Sequence, residues 1–161
     1  MGLISTSSLN ITPTEIPKIF VKNGITNELG KYLLANPNTA DLTLICKNNQ
    51  TLSAHKCVLA SYNKSYFNCL NFSNRTQINL EEYSQSVVSV VRNFLYDVED
   101  SANLEFEELL ELTKLTDFLS LNEQYNLCLE AIKKAVFLKQ DRCIDAWIYF
   151  LQGPIPNKTE N

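Results

Sequence analysis

The chain contains one histidine, His55, which lies two residues before Cys57, and these two residues could together perform covalent chemistry. A thiol beside an imidazole is the arrangement of a cysteine hydrolase. Cys57 is predicted to lie on the far side of a helix, however, and no motif for an oxyanion hole accompanies it. The sequence therefore predicts that the protein is not an enzyme. It predicts a structural role for His55 at the junction of a strand and a helix.

The cysteines are widely spaced and contain no C-x-x-C pair: Cys46, Cys57, Cys69, Cys128 and Cys143. A zinc site needs close pairs of ligands, which the sequence does not offer. An odd number of distant cysteines is typical of reduced thiols in an intracellular protein. We therefore expect no metal and no cofactor, and a location in the cytoplasm with the nucleus left open.

The charge balance excludes some classes of partner. Among 161 residues, Lys plus Arg number 14 and Asp plus Glu number 18, so the net charge of −4 disfavours nucleic-acid binding. Apolar runs are shorter than the ~20 residues that a membrane-spanning helix needs. Met1-Gly2 with Thr6 fits a myristoylation pattern, but Lys18 and Lys22 supply too little positive charge for a second anchor. No stable membrane association is expected.

The elements that must position His55 begin with a hairpin. Leu42, Leu44 and Cys46 alternate as in a half-buried strand. Asn48-Asn49 then supplies a turn, and residues 50–54 form the returning strand. A brief third strand is expected over residues 76–80.

Most of the remaining chain has helical spacing of its apolar residues. Helices are predicted over residues 27–36, 58–62, 65–70, 87–98, 105–119, 122–136 and 144–151. The first carries Leu29, Tyr32 and Leu33 on one stripe and is stopped by Pro37. Together these elements predict an α+β fold, in which a small, mainly three-stranded sheet is flanked by five or six helices. An N-terminal arm precedes this unit, and the helix over residues 144–151 is an extra one at its C-terminal end.

The order of several segments resembles a known family. Asp41 leads a strand, and the block Ala54-His55-Lys56 continues through Leu59-Ala60 to Ser65 and Phe67. The helices that follow carry Phe94-Leu95-Tyr96 and then Glu107, Leu109, Leu110 and Leu112. This pattern resembles the BTB/POZ domain, whose fold is of the α+β class predicted above. Residues 141–151 are similar to the 3-box, or start of a BACK domain, that follows BTB domains in kelch-type adaptors.

The resemblance gives the expected division of the chain. Residues 1–24 are an arm with a possible short strand at Lys18–Val21, and residues 25–138 are the BTB/POZ domain. Residues 139–152 are the 3-box-like helix, and residues 153–161 are a tail. No substrate-binding domain of the kelch, MATH or zinc-finger type is expected after it.

The resemblance implies a homodimer formed by the first helix and an exchanged N-terminal strand. The residues expected at the dimer interface are Ile19, Val21, Leu29, Tyr32, Leu33 and Asp41. The alternative is that the stripe on the first helix closes the domain's own core. In transcription-factor members Asp41 would pair with a basic residue at position 53, which is Ser53 here, so the corepressor pocket is incomplete.

The resemblance also implies a surface for a cullin-3-type ubiquitin-ligase scaffold. The residues expected there are Tyr66, Phe72, Ser73, Asn74, Leu121 and Tyr125. Phe72 would be the apolar anchor, whereas Asn74 stands where the family's motif has an acid. A neutral acceptor contributes less than the ~1.5–3 kcal/mol of a charged one. Alternatively, these side chains belong to the core or to ordinary surface.

The predicted function is protein–protein interaction. The protein would homodimerise and bind a cullin-3-type scaffold, either as an adaptor for an unknown client protein or as a competitor. The alternative is a structural oligomerisation or transcriptional-corepressor platform without cullin binding.

Overall fold

The computed structural model describes residues 28–62, 74–98, 103–138 and 148. These residues form three strands: β1 (Leu42–Cys46), β2 (Thr51–Ala54) and β3 (Gln77–Leu80). They also form five helices: α1 (Glu28–Ala35), α2 (Lys56–Tyr62), α3 (Gln85–Leu95), α4 (Phe106–Phe118) and α5 (Asn122–Leu138). The combination of one small sheet with a larger set of helices confirms the predicted α+β class. None of these helices has the length and apolarity needed to cross a bilayer.

Strand β1 is central in the sheet, antiparallel to β2 and parallel to β3. Leu42, Leu44 and Cys46 are buried, and the residues between them are half-buried, because successive strand residues face opposite sides of a sheet. On β2, Ala54 is buried and Leu52 is half-buried. The predicted alternation is therefore confirmed.

Asn48 and Asn49 form the turn between β1 and β2. Both have positive φ, 59° and 57°, a conformation that asparagine tolerates better than most residues. The Gln50 N–H donates to the Lys47 carbonyl across the turn (3.3 Å). Two successive left-handed residues match the twist of paired strands, so the hairpin predicted from this Asn pair is confirmed.

Helices α3, α4 and α5 supply most of the core. A capping box begins α4, where the Glu105 and Glu108 side chains each accept a hydrogen bond from the other's backbone. Leu109, Leu112 and Leu115 lie on the buried face of this helix, which packs against both α3 and α5. The helix start and buried stripe predicted from residue 105 are confirmed.

Helix α3 is shorter than predicted. The apolar spacing predicts a helix as far as Val98, whereas α3 ends at Leu95, with Tyr96 as its C-cap. Asp97 has a φ of 54°, and a residue in this left-handed region commonly ends a helix. Other predicted elements lie outside the described residues: the strand at Lys18–Val21, the helix from Ser65, and the helix over residues 144–151 apart from Ile148.

Candidate functional site

His55 lies between β2 and α2, and two hydroxyl groups hold its ring. The Tyr96 hydroxyl accepts a hydrogen bond from the His55 backbone N–H (2.7 Å) and donates one to Nδ1 (2.8 Å). On the other side, Nε2 donates to Oγ1 of Thr39 (2.8 Å), whose hydroxyl donates to the Asn36 carbonyl (2.8 Å). Because the Thr39 hydroxyl donates its one proton to the Asn36 carbonyl, its oxygen accepts from Nε2, and we assign the ring tautomer accordingly.

This network gives His55 a structural rather than a chemical environment. The His55 side chain is buried, and both ring nitrogens are engaged by hydroxyl groups rather than by a thiol. Burial raises the pKa of Tyr96 above its ordinary value, an effect that the His55 backbone hydrogen bond and the charge of Arg92 partly offset. The neutral tyrosine therefore ties the end of α3 to the start of α2.

Asp41 lies just before β1, and its carboxylate engages the same junction. Its Oδ1 accepts a hydrogen bond from the Lys56 backbone N–H (2.8 Å), at the first residue of α2. A carboxylate at a helix N-terminus satisfies an otherwise open N–H group and complements the helix dipole. Asp41 is exposed, and the observed partner explains its position without a second protomer.

The residues expected at the dimer interface do not all lie on one face of α1. Leu29 and Tyr32 are 62% and 60% exposed, whereas Leu33 is half-buried and packs against the core. Gly30 faces the core so closely that a Cβ there would lie 1.9 Å from the Tyr96 carbonyl oxygen. Leu33 thus helps to close the domain's own core, whereas Leu29 and Tyr32 face outward. Ile19 and Val21 lie outside the described residues.

The residues expected at the scaffold surface are described only in part. Asn74 is exposed and Tyr125 is half-buried. Leu121 is only 5% exposed, because the turn from α4 into α5 directs its side chain into the core, and we leave it out of the surface. Tyr66, Phe72 and Ser73 lie outside the described residues.

The described thiols differ in accessibility. Cys57 is exposed, whereas Cys46 and Cys128 are buried. Burial raises the pKa of the Cys128 thiol to about 12 despite hydrogen bonds with Thr113 and Thr116. Burial also raises the pKa of Cys46, which the charge of Arg92 partly counters. In the described ranges, His, Cys, Asp and Glu side chains form no group of three that could hold a metal ion.

The sequence predicts no role for two residues that are important to these sites. Tyr96 stands in the helical motif Phe94-Leu95-Tyr96, but its partner His55 is 41 positions away, so no local signal indicates the pairing. Arg92 interrupts the apolar stretch of α3, and its Nη1 donates to the Ser53 carbonyl on β2 (3.2 Å). A charged residue within an apolar helical run was the available signal for Arg92.

Comparison with known proteins agrees with this architecture. The family model for the BTB/POZ domain matches residues 31–135. The BTB domain of zebrafish PATZ1 is similar in structure, with a TM-score of 0.51 and 22% sequence identity, over 70% of this chain and 98% of that one. The BTB domain of human gigaxonin gives a TM-score of 0.48 and 20% identity, over 68% and 94% of the two chains. Comparison with curated proteins gives no match.

The zebrafish PATZ1 domain is less than 25% identical to this chain, so the similarity to it concerns the fold alone. The family model is the stronger finding, because it spans more than half of the chain, from within α1 to near the end of α5. Its span includes the hairpin, the His55 junction and the helical core. The chain therefore belongs to the BTB/POZ domain family, a family of protein-interaction domains.

Proposed function

We propose that this protein is a non-enzymatic interaction module that forms a homodimer and binds a cullin-3-type ubiquitin-ligase scaffold. As an adaptor it would bring a client protein to the ligase, and as a competitor it would occupy the scaffold in place of other adaptors. In both roles its contribution is effective concentration and geometry rather than bond making or breaking.

The observation that carries the proposal is the outward face of α1. Leu29 and Tyr32 are the two most exposed large apolar side chains in the described residues, and they lie three positions apart on one helix. Such neighbours form a continuous patch, because residues i and i+3 are adjacent on a helix surface. An isologous contact between two copies would remove this patch from water.

Contacts on the inner side of α1 fix the orientation of its outward face. Gly30 lies against the Tyr96 carbonyl, so the backbone of α1 approaches the end of α3 more closely than any other residue type would allow. Leu33 and Leu34 pack against the core on the same side. Because α1 is held on its inner side, its outer residues form a fixed surface, which suits a dimer contact.

The scaffold-binding part of the proposal rests on family resemblance around Phe72-Ser73-Asn74, with Tyr66 and Tyr125 completing the surface. Asn74 is exposed and is available to a partner. Asn74 can donate and accept hydrogen bonds, but it lacks the charge of the acid in the family's motif. We therefore expect weak scaffold binding.

Calorimetric titration with the N-terminal region of a cullin-3 scaffold tests this assignment. Asn74→Glu should tighten binding about fivefold, because a charged acceptor adds roughly 1 kcal/mol over a neutral one. Phe72→Ala should abolish detectable binding, because it removes the apolar anchor. Asn38→Glu, which adds the same charge at an exposed position outside the proposed surface, should leave binding unchanged.

The titration also distinguishes a second candidate function, a structural oligomerisation or corepressor platform without scaffold contact. The burial of Leu121 and the neutral side chain of Asn74 favour this alternative, because they leave a smaller and less charged surface than expected. If neither the wild type nor Asn74→Glu binds the scaffold, the adaptor and competitor roles should be abandoned for the platform.

A further inference from the structure

The two outer edges of the sheet differ in how their backbone groups are satisfied. On β2, the Thr51 carbonyl accepts a hydrogen bond from Nε2 of Gln85 (3.2 Å). The Ser53 carbonyl on the same edge accepts one from Nη1 of Arg92 (3.2 Å). Side chains of α3 thus cover the carbonyl groups of this edge. Such cover is one way in which folded proteins stop an edge strand from pairing with another chain.

The edge formed by β3 has no such cover. The Thr43 N–H on β1 donates to the carbonyl of Thr76, just before β3 (2.9 Å), and the hydrogen bonds of a parallel pair fall on alternate residues of the strand. The N–H and C=O groups of Gln77 and Asn79 therefore point away from β1. Among the described residues, these four outward groups have no hydrogen-bond partner.

The sequence of β3 does not protect this edge either. The strand reads Gln-Ile-Asn-Leu, without the lysine or proline that edge strands often carry to prevent pairing. Ile78 and Leu80 are buried in the core and hold the strand in place, whereas Gln77 and Asn79 are exposed. The open edge is therefore both fixed in position and accessible to a second strand.

Residues of opposite charge flank β3. Arg75 and Glu81 are both exposed, and they lie just before and just after the strand. The Asn79 side chain holds Glu81 close to the strand, since its Nδ2 donates to Oε2 (3.1 Å) and its Oδ1 accepts from the Glu81 N–H (2.9 Å). Within the described part of the chain, neither Arg75 nor Glu81 forms an ion pair.

Two copies of this edge are complementary in one register. In an antiparallel pair centred on Ile78, Gln77 of one copy lies opposite Asn79 of the other, so the outward N–H and C=O groups of both copies are all satisfied. The same register places Arg75 of each copy opposite Glu81 of the other, on the same face of the sheet, where opposite charges stabilise a strand pair. A shift of two residues would separate both matched pairs.

We propose that the β3 edge is a second self-association site, where two copies of this chain pair their β3 strands in antiparallel orientation and join their sheets into one. This inference goes beyond the proposed function, and the contact does not require the α1 face. Because few residues pair, the contact is weak, with a dissociation constant on the order of 0.1–1 mM. Where both contacts form, dimers join into larger assemblies that offer more binding sites to a partner.

Amide NMR of the double variant Leu29→Ser/Tyr32→Ser, here called the α1 variant, separates this contact from the α1 contact. As the protein concentration rises from about 0.02 to 1 mM, the amide resonances of Gln77 and Asn79 should move in a saturable way towards positions typical of hydrogen-bonded N–H groups. The Ser53 amide, at the covered β2 edge, is the internal control and should not move. Unchanged Gln77 and Asn79 resonances would overturn the proposal.

Sedimentation equilibrium over the same range gives the size of the assembly. The α1 variant should approach a limiting mass of twice the 18.3 kDa of one chain, because a two-fold contact closes with two copies. The wild type keeps the α1 face and should gain mass beyond its dimer. Growth of the α1 variant past two copies would contradict a two-fold pair, and a wild-type mass that stays constant would contradict a second contact.

Charge reversal tests the register. In the α1 variant, Arg75→Glu should weaken the association at least about tenfold, because it places two carboxylates opposite each other twice in the interface. Arg75→Glu/Glu81→Arg exchanges the two charges and should restore the association. Lys134→Glu is the matched control, since it makes the same charge change at an exposed position on α5, and it should have no effect. An Arg75→Glu/Glu81→Arg protein that associates no better than Arg75→Glu would refute the assigned register.

A proline tests the backbone pairing itself. Gln77→Pro removes one outward N–H and no hydrogen bond to β1, at the first residue of a strand, where proline is tolerated. It should abolish the concentration-dependent shift of the Asn79 amide, whereas Gln77→Thr, which keeps the N–H, should not. Undiminished association of Gln77→Pro would exclude pairing through this edge. In the wild-type background Gln77→Pro should still form the α1 dimer and bind the scaffold, so failure of this inference is distinguishable from failure of the proposed function.

Discussion

Tyr96→Phe is the sharpest single-atom perturbation of the junction that organises this domain. The substitution removes only the hydroxyl oxygen and preserves the aromatic ring within the core, where Tyr96 is 1% exposed. Two groups of His55 lose a partner: the backbone N–H, which lies 2.7 Å from that oxygen, and Nδ1, which lies 2.8 Å from it. Both hydrogen bonds are buried, so water cannot replace the hydroxyl without entering the core.

The expected loss of stability follows from these two groups. A buried donor or acceptor left without a partner costs about 1–3 kcal/mol. The two costs do not add fully, because they belong to one residue and the imidazole can adjust. We therefore expect the free energy of unfolding to fall by about 2–4 kcal/mol, a large fraction of the roughly 5–15 kcal/mol of a typical domain.

Urea unfolding followed by circular dichroism at 25 °C measures this loss. Tyr83→Phe is the control, because the Tyr83 ring is also buried while its hydroxyl makes no hydrogen bond within the described chain. The control should change stability by less than about 0.5 kcal/mol, because it leaves no buried group without a partner. If the free energy of unfolding of Tyr96→Phe also lies within about 0.5 kcal/mol of the wild-type value, the assigned hydrogen-bond network is wrong.

Three further predictions concern other parts of the domain. Gly30→Ala should lower the free energy of unfolding measured in urea, because the added Cβ would lie 1.9 Å from the Tyr96 carbonyl oxygen. Such overpacking costs about 1–3 kcal/mol, which outweighs the roughly 1 kcal/mol gained from the higher helix propensity of alanine. Unchanged stability would contradict the close contact. Burial, with nearby carboxylates, raises the pKa of Tyr83 from 10.0 to about 12, so stability is retained below pH 10 and falls as the pH rises towards 12. Urea midpoints between pH 9 and 12 check this fall, which Tyr83→Phe should reduce. Iodoacetamide should label the exposed Cys57 in the folded protein and the buried Cys128 only after unfolding. Peptide mass mapping detects the labelled sites. Labelling of both thiols at equal rates in the folded protein would contradict the burial of Cys128.

Local patterns predicted the elements whose structure is set locally. The alternation of Leu42, Leu44 and Cys46 has the period of a strand, and the hairpin follows from two residues that tolerate positive φ. The start of α4 was predictable because acidic residues at Glu105 and three positions later form a capping box. In each case the interaction that fixes the element joins residues that are close in sequence.

The sequence was less informative where distant residues meet. The pairing of His55 with Tyr96 joins β2 to the end of α3 and has no local signature. The hydrogen bond from Arg92 to the Ser53 carbonyl likewise joins α3 to β2, across 39 positions of sequence. On α1, helical spacing grouped Leu29 with Leu33, but the close approach at Gly30 turns one towards solvent and the other towards the core.

Sedimentation equilibrium at micromolar concentration tests the central claim, that this domain functions by holding other protein chains. The wild type should sediment with twice the 18.3 kDa mass of one chain. The double variant Leu29→Ser/Tyr32→Ser should sediment as a folded monomer, because it removes the apolar face of α1 and leaves the core intact. A wild-type protein that remains monomeric, or a double variant that remains fully dimeric, would contradict this account.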